Sequence, residues 1–120
     1  SIKVQGEGSS QEIVSGIDLF NSYDDIDIIE AHHENKIDAP SGFAMDLSRM
    51  LSENKQYTRN QVEVESVPNS RGGELNGVSL HSVRLPGRSA HHEIIFGAAG
   101  QTLSLKHDTY SSIDLSIIIF

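Results

Sequence analysis

Apolar residues divide the first half of the chain into a strand, a polar loop and a helix. The run Ile26-Asp27-Ile28-Ile29 is rich in β-branched residues and predicts a short strand. After the polar stretch 30–42, apolar residues recur with the spacing of one helix face, namely Phe43, Ala44, Leu47, Met50 and Leu51. Ser41 is a natural N-cap for this helix, and Pro40 fixes the approach to it. The stretch 30–42 therefore joins the end of a strand to the start of a helix.

The regions on either side of these elements carry weaker patterns. Residues 62–67 alternate valine with acidic residues, which predicts a strand with one buried face. Its apolar members are Val62, Val64 and Val67. Glycine, asparagine and proline are frequent in 68–77 and predict a long loop. Within 1–23, the run Gly6–Ser10 predicts a loop before a short helix.

Strands and turns alternate in the last third of the chain. Three strands are predicted, at 78–85, 92–96 and 102–106. The turns between them contain Pro86-Gly87 and Gly97–Gly100, and such short turns favour an antiparallel meander. Within the first of these strands the alternation slips between residues 80 and 83, which indicates a bulge or an edge strand.

Together these elements predict an α+β fold, with a mixed, largely antiparallel β-sheet and flanking helices near 42–53 and 110–119. These helices are too short to cover the whole sheet. The remaining apolar surface predicts contact with another subunit. The run Ile117-Ile118-Ile119 fits a core or an interface.

Composition narrows the possible functions. The 120 residues suit one domain, and a net charge of −8 argues against nucleic acid or an anionic membrane as a partner. The chain has no cysteine, so disulfides and thiolate chemistry are excluded, and a reducing cytoplasm fits. Neither a membrane-spanning apolar run nor a signal-peptide pattern is present. Because the chain begins with Ser1, we expect a piece of a longer protein.

The stretch 30–42 carries the candidate chemistry. Free N–H groups at a helix start, with Lys36 and the pair His32-His33 nearby, favour a carboxylate or phosphate ligand. Histidine exchanges protons near neutral pH, and lysine offers a positive charge or a second acid. The alternative is a polar loop with solvated histidines, which the spacing of these residues before a capped helix makes less favourable.

Other kinds of site have less support. Adjacent histidines on a strand point to opposite faces, and neither HxxxH nor HExxH spacing occurs, so no metal site is predicted. A Ser-His-Asp hydrolase would need a G-x-S-x-G elbow, which is absent. No G-x-G-x-x-G follows a strand, so the chain shows no dinucleotide-binding motif.

The sequence His-His-Glu-Asn-Lys-Ile-Asp-Ala-Pro-Ser-Gly at 32–42 closely resembles the signature of 4-hydroxy-tetrahydrodipicolinate reductase, also called dihydrodipicolinate reductase. The resemblance covers about residues 24 to 110. It continues through Arg71-Gly72-Gly73, Gly77 to Gly87, His91 to Gly97 and Gly100 to Asp108. It points to the C-terminal substrate-binding and tetramerisation domain of that family.

The resemblance implies an oxidoreductase that converts 4-hydroxy-tetrahydrodipicolinate to tetrahydrodipicolinate with NADPH or NADH. The resemblance further implies that the enzyme acts in lysine and diaminopimelate biosynthesis in the cytoplasm and that it is a homotetramer. The resemblance also implies an interdomain helix or loop at 1–23 and a substrate-binding and oligomerisation domain at 24–120. The nucleotide-binding domain is expected N-terminal to this segment and absent from it. We therefore expect this chain to bind no cofactor tightly and to be inactive alone.

The resemblance also implies roles for individual residues. His32 falls on the family's general acid/base, Lys36 on its proton donor and His33 on a substrate contact. Gly42 and Phe43 fall on the two residues whose backbone binds a carboxylate, so the expected partner is a small dicarboxylate. No metal ligand is implied.

The sequence departs from the family pattern at Phe43, where the family has threonine, and at Ser112, where it has arginine. Phe43 lacks the threonine hydroxyl, and loss of a hydrogen bond to a charged group costs about 1.5–3 kcal/mol of binding free energy. The family's tail also extends past Phe120. An alternative is therefore kept: a non-catalytic, oligomer-forming relative that binds a small dicarboxylate or nothing.

Overall fold

A computed structural model describes residues 22–110, and these form one mixed sheet with a helix on one face. The elements in chain order are β1 Asp25–His32, α1 Gly42–Leu51, β2 Gly73–Leu75, β3 Val78–Arg84, β4 Ala90–Ala98 and β5 Gln101–Thr109. The sheet order is β2-β3-β1-β4-β5. β1 and β3 are parallel, whereas the other neighbouring strands are antiparallel. The predicted α+β class with a largely antiparallel sheet is confirmed.

The core lies between α1 and the sheet. In β1 and β4, alternate residues face the helix, and the buried pairs Ile26–Phe96 and Ile28–Ile94 lie opposite each other. The helix contributes Ala44, Leu47 and Leu51 to the same cluster. Burying one large aliphatic side chain stabilises the fold by about 1.5–3 kcal/mol. Because a slip of one residue would expose this whole set, the core fixes the register.

The helix is capped as the sequence predicts. The Ser41 hydroxyl accepts a hydrogen bond from the N–H of Ala44 at 3.1 Å. At the other end, the Ser52 hydroxyl donates to the carbonyl of Ser48 at 2.7 Å. The bounds of α1 are therefore set by local side-chain contacts.

The strand predicted at 62–67 is wrong. These residues form an exposed, irregular segment in which Val64 is 76% exposed. Hydrogen bonds from an arginine hold the surrounding loop, since Nη1 of Arg59 donates to the carbonyls of Arg71, Gly72 and Gly73 at 3.0–3.2 Å. Within 22–110 no strand pairs with this segment, so alternation alone did not produce a strand.

The predicted meander is also wrong, because β1 lies between β3 and β4. The slip in the alternation of β3 marks no bulge, but it does mark an edge, because β2 pairs with β3 only from Val78 to Leu80 and residues 81–84 have a neighbouring strand on one side alone within 22–110. β3 pairs continuously from Ser79 opposite Asp27 to Arg84 opposite His32. On the helix-facing side Ser82 and Arg84 follow Val78 and Leu80, so the apolar alternation ends there. The predicted loop 68–77 also contains β2, which pairs with β3.

Several predictions fall outside the described residues. These are the loop and helix within 1–21, the helix at 110–119 and the departure at Ser112. None of the helices within 22–110 combines the length and the apolar character needed to cross a membrane.

Candidate functional site

The candidate site lies where β1 ends and α1 begins. Glu30 and His32 stand on the helix-facing side of β1, two residues apart, because side chains alternate along a strand. Arg84 of β3 and His92 of β4 reach the same place from the two neighbouring strands. Ser41, the N-cap of α1, closes the cluster.

Glu30 is a buried carboxylate at the centre of this cluster, with 1% of its surface exposed. Arg84 pairs with it through both terminal nitrogens, at 2.9 Å to Oε1 and 3.0 Å to Oε2. The backbone N–H of Ser41 donates to Oε2 at 3.2 Å. Burial opposes ionisation, but hydrogen bonds from Arg84, Ser82 and His32 outweigh it and lower the pKa of Glu30 to about 2. Glu30 is therefore charged at neutral pH.

His32 contacts this carboxylate, with Nδ1 at 2.5 Å from Oε1 of Glu30. Burial lowers the pKa of His32 from its usual value, and the charge of Lys36 acts in the same direction. The neighbouring Glu30 raises it but does not offset the burial. The imidazole is therefore mostly neutral at pH 7, as a group that accepts and returns a proton requires.

Lys36 lies on the loop after β1, close enough for its charge to act on His32. Its ammonium is 3.0 Å from Oδ1 of Asp38, and this hydrogen bond lowers the pKa of that carboxyl. The Asp38 side chain is more than half exposed. Because this ion pair is exposed to solvent and therefore weak, a ligand anion can replace Asp38 at little cost. Lys36 thus lies within electrostatic range of His32.

His33 stands apart from this pair. Its side chain is exposed, and its Nδ1 accepts a hydrogen bond from the N–H of Asn35 at 3.1 Å. Its carbonyl also accepts from the N–H of Lys36 at 3.3 Å. His33 therefore shapes the loop that carries Lys36, and its predicted contact with a ligand stays a prediction.

Gly42 and Phe43 open the helix, where the first N–H groups have no acceptor within the helix. A Cβ added to Gly42 would meet nothing within 4 Å, so the space beside this residue is open. The Phe43 ring packs edge-on against His92, with ring centroids 4.7 Å apart. Phe43 is thus part of the packing on the sheet, and only its backbone is left to serve a ligand as predicted.

His92 of β4 contacts the N-cap residue of α1. It is 8% exposed, and its Nε2 is 3.3 Å from Oγ of Ser41. Burial, followed by the nearby His32, lowers the pKa of His92 to about 4. The ring is therefore neutral at pH 7 and connects β4 to the N-cap.

Three members of the cluster were not predicted as site residues: Glu30, Arg84 and His92. A signal existed for two of them. Glu30 continues the buried phase of Ile26 and Ile28, where an acid needs a partner. Arg84 follows the break in the alternation of β3. Only the parallel pairing of β1 with β3 reveals that these two residues meet.

Within 22–110, no three histidine or acidic side chains are arranged to hold a metal ion. The fold and the site instead define an α+β domain in which a buried cluster of histidine, glutamate and arginine lies beside a helix N-terminus, the kind of position that favours an anion. The model of the family described as "Dihydrodipicolinate reductase, C-terminus" matches residues 11–114. The chain therefore belongs to that family, and the resemblance seen in the sequence is confirmed.

Individual relatives agree with this assignment. The 4-hydroxy-tetrahydrodipicolinate reductase of Bacillus velezensis is 50% identical over 93 residues, and those of Bacillus subtilis and Listeria innocua are 48% and 47% identical over the same length. Each match covers 76% of this chain and 35% of the relative. The chain thus spans about a third of the length of these relatives.

A solved structure shows the same fold. The dipicolinate-bound dihydrodipicolinate reductase from Paenisporosarcina sp. TG-14 superposes with a TM-score of 0.69 at 36% sequence identity. The match covers 81% of this chain and 40% of that protein.

Proposed function

We propose that this chain is the substrate-binding and oligomerisation part of a cytoplasmic 4-hydroxy-tetrahydrodipicolinate reductase of lysine and diaminopimelate biosynthesis. The full enzyme would reduce 4-hydroxy-tetrahydrodipicolinate to tetrahydrodipicolinate with NADPH or NADH. Family membership and the dipicolinate-bound neighbour support the substrate class. The observation that supports the proposal is the cluster of His32 with Glu30 and His92 beside the N-cap Ser41, with Lys36 near enough for its charge to lower the pKa of His32.

The dicarboxylate would be held by charge and by the helix start. One carboxylate accepts from the N–H groups of Gly42 and Phe43, where the helix dipole favours an anion. Lys36 turns from Asp38 to the ligand, and His33 contributes from the loop. Hydrogen bonds to charged groups contribute about 1.5–3 kcal/mol each.

His32 and Lys36 would handle the proton that the reduction requires. Lys36 is a cation whose proton can be delivered to the substrate. His32, neutral before binding, takes up a proton as the anionic ligand approaches, because a nearby negative charge favours the imidazolium. Binding should therefore be coupled to proton uptake near pH 7.

The described residues do not fit a nicotinamide cofactor. The segment between β1 and α1 has Pro40-Ser41-Gly42 where a dinucleotide-binding turn needs several closely spaced glycines. No step of the chemistry is therefore assigned to a cofactor held by residues 22–110.

The second face of the sheet would form the interface of a homotetramer. Ile29 and Ile95 lie on this face, opposite α1, and are half-buried. The ion pair of His81 with Asp27, 2.8 Å long, lies beside them. A mixed apolar and polar surface of this kind suits contact between subunits.

Calorimetric titration of the chain with pyridine-2,6-dicarboxylate tests the binding site. We expect binding that weakens at least about tenfold in Lys36→Ala, because a charged hydrogen bond is lost. His33→Ala should also weaken it. Arg49→Ala is the matched control: it removes one positive charge from an exposed position in the last turn of α1 and should leave the affinity unchanged.

The absence of binding heat at millimolar ligand would contradict the proposal and favour the non-catalytic relative. Equal affinity in the Lys36 and Arg49 variants would likewise remove Lys36 from the site. Repeating the wild-type titration in buffers of different ionisation enthalpy measures the proton uptake assigned to His32.

A further inference from the structure

Glu30 is an unexpected residue beneath a site that binds an anion. Its negative charge would repel a dicarboxylate, and it is 1% exposed and therefore unavailable as a ligand contact itself. Burying a carboxylate is costly unless its charge is paired and its oxygens are hydrogen-bonded. A role for this charge must therefore come from what its two oxygens contact.

Both oxygens have specific partners. Oε2 accepts from Arg84 at 3.0 Å and from the N–H of Ser41 at 3.2 Å. Oε1 accepts from Arg84 at 2.9 Å and lies 2.5 Å from Nδ1 of His32. An ionised carboxylate only accepts hydrogen bonds, so a nitrogen at this distance must carry a hydrogen. The low pKa of Glu30, about 2, supports the ionised state.

We propose that Glu30 is a positioning residue that holds His32 with a hydrogen on Nδ1, so that Nε2 is the atom that exchanges protons with the ligand. The part concerning the ligand depends on the proposed function. The tautomer itself does not, because it follows from contacts within this chain. The other neutral tautomer would place the lone pair of Nδ1 against a carboxylate oxygen at 2.5 Å, which is repulsive.

Arg84 completes the arrangement. Besides holding both oxygens of Glu30, its Nη2 donates to the carbonyl of Asp38 at 2.7 Å. Asp38 lies two residues before Pro40, on the segment that leads into α1. One guanidinium therefore fixes both the carboxylate that orients His32 and the loop that leads to the anion-binding helix start. Arg84 thus fixes the position of His32, through Glu30, relative to the segment proposed to bind the ligand.

The charged and titratable groups around His32 come from each element packed on it. They are Glu30 on β1, Lys36 and Asp38 on the following loop, Arg84 on β3 and His92 on β4. The His32 and His92 rings stand edge to face, with centroids 5.4 Å apart. Of this set, only Glu30 is hydrogen-bonded to the His32 ring in the described residues.

Nuclear magnetic resonance of the full wild-type chain, labelled with ¹⁵N in histidine, tests the tautomer directly. Long-range ¹H–¹⁵N correlation spectra above the titration midpoint of His32 show which ring nitrogen carries the hydrogen. We expect Nδ1–H with a bare Nε2, and the signal is assigned by its loss in His32→Gln. A dominant Nε2–H form would overturn the proposal without any variant or ligand.

The variant Glu30→Gln tests the cause. Loss of the negative charge should lower the pKa of His32 further and mix the two tautomers. Asp27→Asn is the matched control: it removes a carboxylate that contacts His81 at 2.8 Å from the other face of β1 and should leave His32 unchanged. If folded Glu30→Gln keeps both the midpoint and the tautomer of wild type, Glu30 does not position His32.

Titration with pyridine-2,6-dicarboxylate separates this inference from the proposed function. A chain with the expected tautomer but no binding retains the positioning role of Glu30 and loses the proposed substrate. A chain that binds but shows Nε2–H retains the substrate and loses the positioning role.

Discussion

At the scale of single residues, the buried imidazole of His92 should make stability depend on pH. Its pKa is lowered to about 4 in the folded chain, whereas an unfolded histidine titrates near 6.5. The unfolded state therefore binds more protons between these values, and stability is lost as the pH falls from about 6.5 to 4. The lowered pKa of His32 acts in the same direction. Urea unfolding at several pH values should show that the free energy of unfolding decreases by on the order of 3 kcal/mol because of His92.

The variant His92→Gln isolates this effect. It retains a polar side chain within reach of Ser41 but cannot titrate, so the decrease between pH 6.5 and 4 should become shallower than in wild type. The slope is the readout, because the substitution also changes packing against Phe43. An unchanged slope would show that His92 is not the group responsible.

Gly77 is required by a close approach of two backbones. Its φ is +83°, and an added Cβ would lie 1.9 Å from the carbonyl oxygen of the buried Tyr57. We expect Gly77→Ala to destabilise the fold by clearly more than the 1–2 kcal/mol typical of a left-handed non-glycine residue. Gly87→Ala is the matched control, since Gly87 has φ +91° with nothing within 4 Å. Equal losses in thermal unfolding would contradict the close approach.

The sequence was sufficient to select His32 and Lys36 as candidates because both stand within one short segment whose residue types suggest proton chemistry, and their roles stay predictions. Glu30 and Arg84 were not predicted, because they are 54 residues apart and meet only through the parallel pairing of two strands. His92 was considered only as a metal ligand. Its buried position depends on the register of β4, which the pattern of the chain leaves open.

At the scale of elements, the exposure of the segment 62–67 can be tested by substitution. We expect Val64→Ala to change the free energy of unfolding by less than about 0.5 kcal/mol, because Val64 is 76% exposed. Val78→Ala, the matched substitution in a residue with no exposed surface, should cost about 2 kcal/mol. A comparable loss in both variants would show that Val64 is buried in solution.

The helix and the β4–β5 hairpin were predictable because their signals are local: a cap, a helical period and a short turn. The order of the strands was not. A meander and the observed order β2-β3-β1-β4-β5 share the same turns, and they differ only in whether β1 inserts between β3 and β4. That choice follows the burial of Ile26 and Ile28 of β1, which at the centre of the sheet have a neighbouring strand on each side.

At the scale of the whole molecule, the sheet face opposite α1 should control assembly. Ile95→Glu places a charge on this face and should shift the chain from oligomer to monomer in sedimentation velocity, because a buried unpaired charge is costly. Asn54→Glu adds the same charge at an exposed position after α1 and should leave the assembly unchanged. An unaltered sedimentation coefficient for Ile95→Glu would place the interface elsewhere.

The central position of β1 has a consequence for how the site moves. Both edges of this strand are bonded to neighbours, β3 on one side and β4 on the other. Its amide hydrogens should therefore exchange with deuterated solvent only when the domain opens as a unit, whereas those of β2 and β5 exchange by fraying. Glu30 and His32 stand on this strand, which we expect to exchange most slowly, so that any adjustment to a ligand would fall to the loop that carries Lys36.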